Sequence, residues 1–161
     1  MMKCCRIIVA MCVLSVMLSS SASGALRMRT DEFAVLCSKG SPVEVQQALN
    51  AGAKPTEQVL ITAAYSNTDP EVIRVLISFA QSHYGLNFSK HPVVGSNVLN
   101  SAIRGGDSEV VRAVMSFGMN INARDSSGRR PLGEALRYGI KSDEPERQEI
   151  IRMLREAGAR R

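Results

Sequence analysis

The chain has 161 residues, a formal net charge of +5 at pH 7, 4% aromatic residues and no tryptophan. That length suits one domain with a substantial core, which has to be assembled from Leu, Ile, Val, Ala and Met. The mild positive charge excludes a polybasic nucleic-acid binder.

The chain opens with Lys3 and Arg6, an apolar run from Ile7 to Leu18 broken only by Ser15, and the small residues Ser19 to Ala25. Basic, apolar and small in that order is the pattern of a secretory signal, expected to span residues 1–24 with cleavage after Ala22 or Gly24. A retained anchor is the alternative. However, a helix of 12 residues reaches only about 18 Å, against about 30 Å of bilayer core, and no other stretch is long or apolar enough to span. A lipid-anchored form is disfavoured, because Val9-Ala10-Met11 puts no small residue before Cys12. Removing the leader takes Cys4, Cys5 and Cys12 with it, leaves Cys37 alone, and lowers the formal charge to +3. One thiol cannot form an intrachain disulfide, so packing alone must hold the fold even in an oxidising compartment.

From residue 31 onward, short apolar sets recur at helical spacing. The first helix of each unit is expected around Phe33/Leu36/Cys37, Leu60/Ala63/Ala64, Leu99/Ala102/Ile103 and Leu132/Ala135/Leu136. The second carries Val45/Ala48/Leu49, Val72/Val75/Leu76, Val110/Ala113/Val114 and Ile150/Met153/Leu154. Ile73, Val111 and Ile151 widen the last three stripes, as a helix packed on both sides requires. Ser41-Pro42, Asp69-Pro70 and Asp107 supply N-caps, with Ser41 and Glu44 as a capping box. Ala51-Gly52-Ala53, Phe117-Gly118 and Ala157-Gly158-Ala159 supply left-handed ends. Neither helix of such a pair can bury its face alone, whereas stacked pairs close a continuous core.

The spacing is uneven. The first apolar positions of successive units lie 27, 39 and 33 residues apart, so the first connection is short and Gln81 to Asn97 reads as an insertion. In the fourth unit Leu132 and Glu149 are 17 residues apart, which predicts a bulging loop from Tyr138 to Pro145.

The stretch Asn120 to Leu136, with Asp125 and Gly128 in a finger turn and Pro131-Leu132-x-x-Ala135 opening a helix, resembles the ankyrin repeat consensus. The paired Ala-Gly-Ala ends match it too, and the resemblance extends over residues 31–161. It implies an all-α, ankyrin-type helical-pair solenoid of about four repeats occupying residues 25–161, and a protein-binding role without chemistry of its own. Arg130 and Gly133 stand where the family carries threonine and histidine, so the side-chain hydrogen bonds of that signature are lost. Another helical-pair solenoid or a plain bundle is the rival architecture.

No catalytic constellation stands out, and neither a cofactor nor a metal site is expected. His83 and His91 both fall in the insertion with no Cys, Asp or Glu between them, and read as surface-loop residues. Cys37 lies on an apolar helix face, where a buried structural thiol is expected. Gly105-Gly106 ends a helix rather than cradling phosphate, and the sequon Asn87-Phe88-Ser89 carries no information without a glycosylating host.

The ankyrin resemblance implies a concave binding face made of fingers and first helices. Its candidates are Tyr65, Arg104, Arg137 and Tyr138 from the helices, and Arg124, Asp125, Arg129 and Arg130 from the finger. Tyrosine and arginine are the side chains most enriched at interface hot spots. Their bias toward the C-terminal half predicts a protein partner with an acidic surface. Nucleic acid is not expected as a partner. A monomeric, exported module, periplasmic or secreted, is the leading expectation. A regulator or inhibitor of a partner enzyme, of immunity or effector type, is the alternative. The arginines at 152, 155, 160 and 161 read as a polar end cap.

Overall fold

The structure is a computed structural model that describes residues 28–139 and 144–161. The expected export signal at 1–24 and positions 140–143 of the fourth unit's connection lie outside the described residues. The described residues form eight helices and no strand: α1 Thr30–Lys39, α2 Pro42–Asn50, α3 Glu57–Ser66, α4 Pro70–Tyr84, α5 Pro92–Gly105, α6 Ser108–Met115, α7 Pro131–Gly139 and α8 Pro145–Glu156.

Consecutive helices pair as α1α2, α3α4, α5α6 and α7α8, and equivalent helices stack on one another. The first helices form one layer, α1 on α3 on α5 on α7, and the second helices form the other, α2 on α4 on α6 on α8. The helical-pair solenoid of four units is therefore observed. One core runs its length, from Phe33 and Cys37 through Leu60, Leu76 and Leu99 to Ile150 and Leu154.

Local chemistry places the helix ends as expected. Ser41 Oγ accepts from the Glu44 N–H at 3.4 Å while Glu44 Oε2 accepts from the Ser41 N–H at 2.8 Å, closing the capping box. Asp69 caps α4 through the Glu71 N–H, and Asp107 caps α6 through the N–H groups of Glu109 and Val110. At the ends of α2 and α8 the same bond recurs, Ala53 N–H to Ala48 O at 3.0 Å and Ala159 N–H to Leu154 O at 2.9 Å. The intervening Gly52 and Gly158 sit at φ 96° and 84°.

The insertion is not a loop of seventeen residues. It lengthens α4 to 15 residues and α5 to 14, leaving only residues 85–91 between them. Pro92 at the first position of α5 moves that helix start upstream, and Phe88 fastens the turn by burying all but 2% of its surface in the core. It packs on Gly95, where an added Cβ would lie 3.3 Å from the phenylalanine ring. The histidines shift accordingly. His83 belongs to the last turn of α4, its ring stacked on Phe79 at 3.9 Å, and His91 occupies the N-cap of α5. The second loop is also shorter than expected, because Tyr138 and Gly139 extend α7 and Pro145 begins α8.

Polar side chains tie neighbouring units together. Asn67, only 8% exposed, donates to Cys37 O at 2.8 Å and Gly40 O at 3.2 Å, and accepts from the Asp69 N–H. It closes the carbonyl end of α1 from the next repeat. Glu146 does the same for donors, accepting from the Ser108 N–H at the start of α6. Asn122 holds the C-terminal residues, accepting from the Arg160 N–H and donating to Gly158 O. No described helix is long and apolar enough to cross a membrane.

Candidate functional site

The fourth repeat's finger, the connection between α6 and α7, carries the candidates. Its tip is a tight turn, with the Asp125 N–H donating to Arg129 O at 2.8 Å and the Gly128 N–H to Asp125 O at 2.9 Å. Gly128 adopts φ 76°, a region that costs a side-chain-bearing residue and leaves glycine free.

A polar row on α5 holds this finger. Ser96, Asn100 and Arg104 are four residues apart, so they share one helical face. Ser96 Oγ donates to Ala123 O at 3.0 Å, and Asn100 Nδ2 donates to Asp125 Oδ2 at 2.8 Å and Arg129 O at 3.3 Å. Beside the row, Asn97 Oδ1 accepts from the Ser126 N–H.

Asp125 is therefore not a surface residue. It is 5% exposed, one oxygen accepts from the Ser127 and Arg129 N–H groups, and the other accepts from Asn100. The side chain is spent on the finger turn's own backbone and on Asn100, and its burial keeps a partner from reaching it. Burial pushes the acid's pKa up, but the donors from Asn100, Arg129 and Ser127 and the Arg129 charge outweigh it. The carboxyl is held below its ordinary value of 3.8.

Two of the arginines are likewise committed. Glu134 on α7 has no exposed surface, and Arg129 Nη1 donates to both of its oxygens, at 3.0 and 3.2 Å. Arg104 Nε sits 2.9 Å from Glu134 Oε1, close enough for an ion pair though off the line of a hydrogen bond, and its Nη2 is 3.7 Å from Asp125. Arg104 and Arg129 thus face two buried carboxylates, and the local charge cancels. This cluster joins α5, the finger and α7 where the sequence lacks the family's threonine and histidine.

The remaining candidates divide. Arg124 is exposed and closes its own finger through Gly128 O at 2.6 Å, while Arg130 donates to Arg161 O at 3.1 Å. Tyr138 is 40% exposed, with the Arg137 guanidinium 5.9 Å and the Arg147 guanidinium 5.7 Å from its ring centre. Tyr65 is 57% exposed at the end of α3, where its carbonyl is pressed against α5. A Cβ on Gly105 would lie 2.6 Å from that oxygen. Arg147 spans the next joint, donating to Ile103 O at 3.4 Å and reaching toward Gly106.

Asn100, Glu134 and Arg147 were not anticipated from the sequence. The four-residue spacing of Ser96, Asn100 and Arg104 was the available signal, but a polar helix row usually faces water. Among the described residues no three of His, Cys, Asp and Glu gather into a group that could hold a metal.

No curated protein matches the chain. The family model described as ankyrin repeats (3 copies) matches residues 60–160, the span of α3 to α8 with its finger. The pair α1α2 precedes that match with the same stacking. The chain belongs to the ankyrin-repeat family.

Proposed function

We propose that this chain is an exported binding module for one protein partner, and that the partner docks along the ends of the first helices. Ankyrin repeats generally mediate protein–protein interaction. The observation that carries the reading is the pair of exposed tyrosines, Tyr65 on α3 and Tyr138 on α7, flanking the glycine-ended α5. Exposed tyrosines, large and carrying few rotatable bonds, are common anchors of an interface. An acidic partner surface remains the expectation, but for fewer arginines than the sequence suggests. Arg124 and Arg137 have no carboxylate paired with them among the described residues, Arg130 donates to Arg161 O, and Arg104 and Arg129 are neutralised from within.

Export is part of the proposal and rests on the order of basic, apolar and small residues in 1–24. Mass measurement of the exported product should give a chain beginning at Ser23 or Ala25, and a product retaining Met1 would sink it. The docking face is tested by crosslinked capture with wild type and with Tyr65→Ser/Tyr138→Ser. A partner held by wild type and lost by the folded variant supports the face; equal capture moves the site elsewhere.

A further inference from the structure

The insertion that lengthens α4 and α5 builds a groove of about 300 Å³ between repeats two and three. Leu60, Ala80, Leu86 and Val94 give it an apolar lining, and Glu57, Tyr84 and His91 line it as well. Leu86 and Val94 are only half-buried and Tyr84 is 53% exposed, so apolar surface is left in water here. The groove is preformed. Phe88 anchors the turn behind it in the core, and the Leu86 N–H closes the end of α4 on Ala80 O at 3.2 Å.

Glu57 gives the groove a charge. Its place in the first turn of α3 accounts for a carboxylate near the helix start. It does not account for where the side chain goes. Asn97 Nδ2 donates to Glu57 Oε1 at 2.7 Å across the repeat boundary, while no cation pairs with this exposed acid among the described residues. Counted from Ala25, residues 25–118 carry eight acidic and eight basic side chains, whereas residues 119–161 carry seven acidic against ten basic. The groove thus lies in the part of the molecule without a net cationic charge, away from the arginine-rich fourth repeat.

We propose that this groove is a second docking site, taking an aliphatic side chain of a partner polypeptide whose adjacent lysine or arginine pairs with Glu57. The apolar walls fit the aliphatic group, and the tethered carboxylate selects the charge beside it. The site shares the protein-binding reading above but none of the surface that carries it.

The test is selection of short linear peptides from a displayed random library on the chain, followed by titration and NMR mapping of a selected peptide. Selected peptides should share an aliphatic residue next to lysine or arginine, and should shift the amides of Leu60, Leu86 and Val94. Glu57→Gln keeps an oxygen for Asn97 and should weaken binding by up to roughly fivefold, the range of an exposed ion pair. Tyr84→Ser should weaken it too, and Tyr65→Ser/Tyr138→Ser should leave it unchanged. Acidic consensus peptides, shifts confined to Tyr65 and Tyr138, no selected peptide, or full affinity in Glu57→Gln would each overturn the proposal. If the tyrosine pair alone governs capture of the partner while groove peptides fail, the docking face stands and the groove does not.

Discussion

Glu134, with no surface in contact with water, is held by Arg129 Nη1 on both oxygens at 3.0 and 3.2 Å, and Arg104 closes on the same carboxylate from α5. Each arginine remains about one-third exposed, so either can return to water if its partner is lost. Arg104→Gln or Arg129→Gln should therefore cost only about 1 kcal/mol. Losing both leaves a buried carboxylate uncompensated, which costs about 3–5 kcal/mol. Urea unfolding of the singles and the double should show a double-mutant loss larger than the sum. Strict additivity would mean that the two arginines do not share the charge.

Asn67 joins the first repeat to the second by two hydrogen bonds to carbonyls at the end of α1, and its oxygen accepts from the Asp69 N–H within its own repeat. Asn67→Ala strands these buried groups and should cost about 1–3 kcal/mol. The same variant should raise amide exchange in α1 and α2 more than in α7 and α8, since stability in a stacked array is passed between neighbours. Uniform exchange across the chain would contradict that nearest-neighbour picture.

Acid should loosen the fold through Asp125. Its folded carboxyl titrates below the ordinary 3.8, so its contribution is complete above that value and is lost as pH falls through the lower folded one. Glu146, lowered by its hydrogen bonds to Ser108, acts in the same direction below its ordinary 4.5. Unfolding free energy measured from neutral pH downward should fall below about pH 4. In Asp125→Asn the decline should be shallower. An unchanged slope in that variant would show that Asp125 is not among the groups responsible.

Cys37 is fully buried, and burial pushes its thiol up to about 12. At pH 8 the thiolate is scarce and the sulfur has no path to reagent. Iodoacetamide labelling, read as mass added to the peptide containing Cys37, should proceed only at the rate of unfolding and accelerate sharply in denaturant. Rapid labelling of the folded chain would contradict the burial of α1 against α3.

Phe88 and Gly95 are matched in size. Phe88→Ala should cost about 3–5 kcal/mol and disorder the turn before α5. Gly95→Ala, which crowds the ring at 3.3 Å, should cost less, because a small shift of that side chain relieves it. Thermal unfolding of both variants checks the ranking.

Much of the architecture was legible along the chain because it is local. Val110, Ala113 and Val114 are neighbours on a helix surface whatever else happens, and Asp107 caps that helix through amides two and three residues away. The repetition of such units then leaves stacking as the way to bury their apolar faces. The fate of residues 81–97 was less legible. Nothing near Phe88 in sequence announces that it fits against Gly95, and without that contact the stretch reads as a polar, histidine-bearing loop.

The binding face divides along the same line. By itself the sequence determined the helical pairs, their caps, the finger turn and the identity of the side chains on offer, all set by interactions spanning a few residues. Only the stacked structure decided which of those side chains reach solvent. Asp125 meets Asn100 across 25 residues of sequence, and Arg104 meets Glu134 only because α5 and α7 lie side by side. An arginine or aspartate is equally compatible with the surface and with a buried pair. The choice is made by the hydrogen-bonding and charged partners that the neighbouring repeat brings into reach, Asn100 for Asp125 and Glu134 for Arg104.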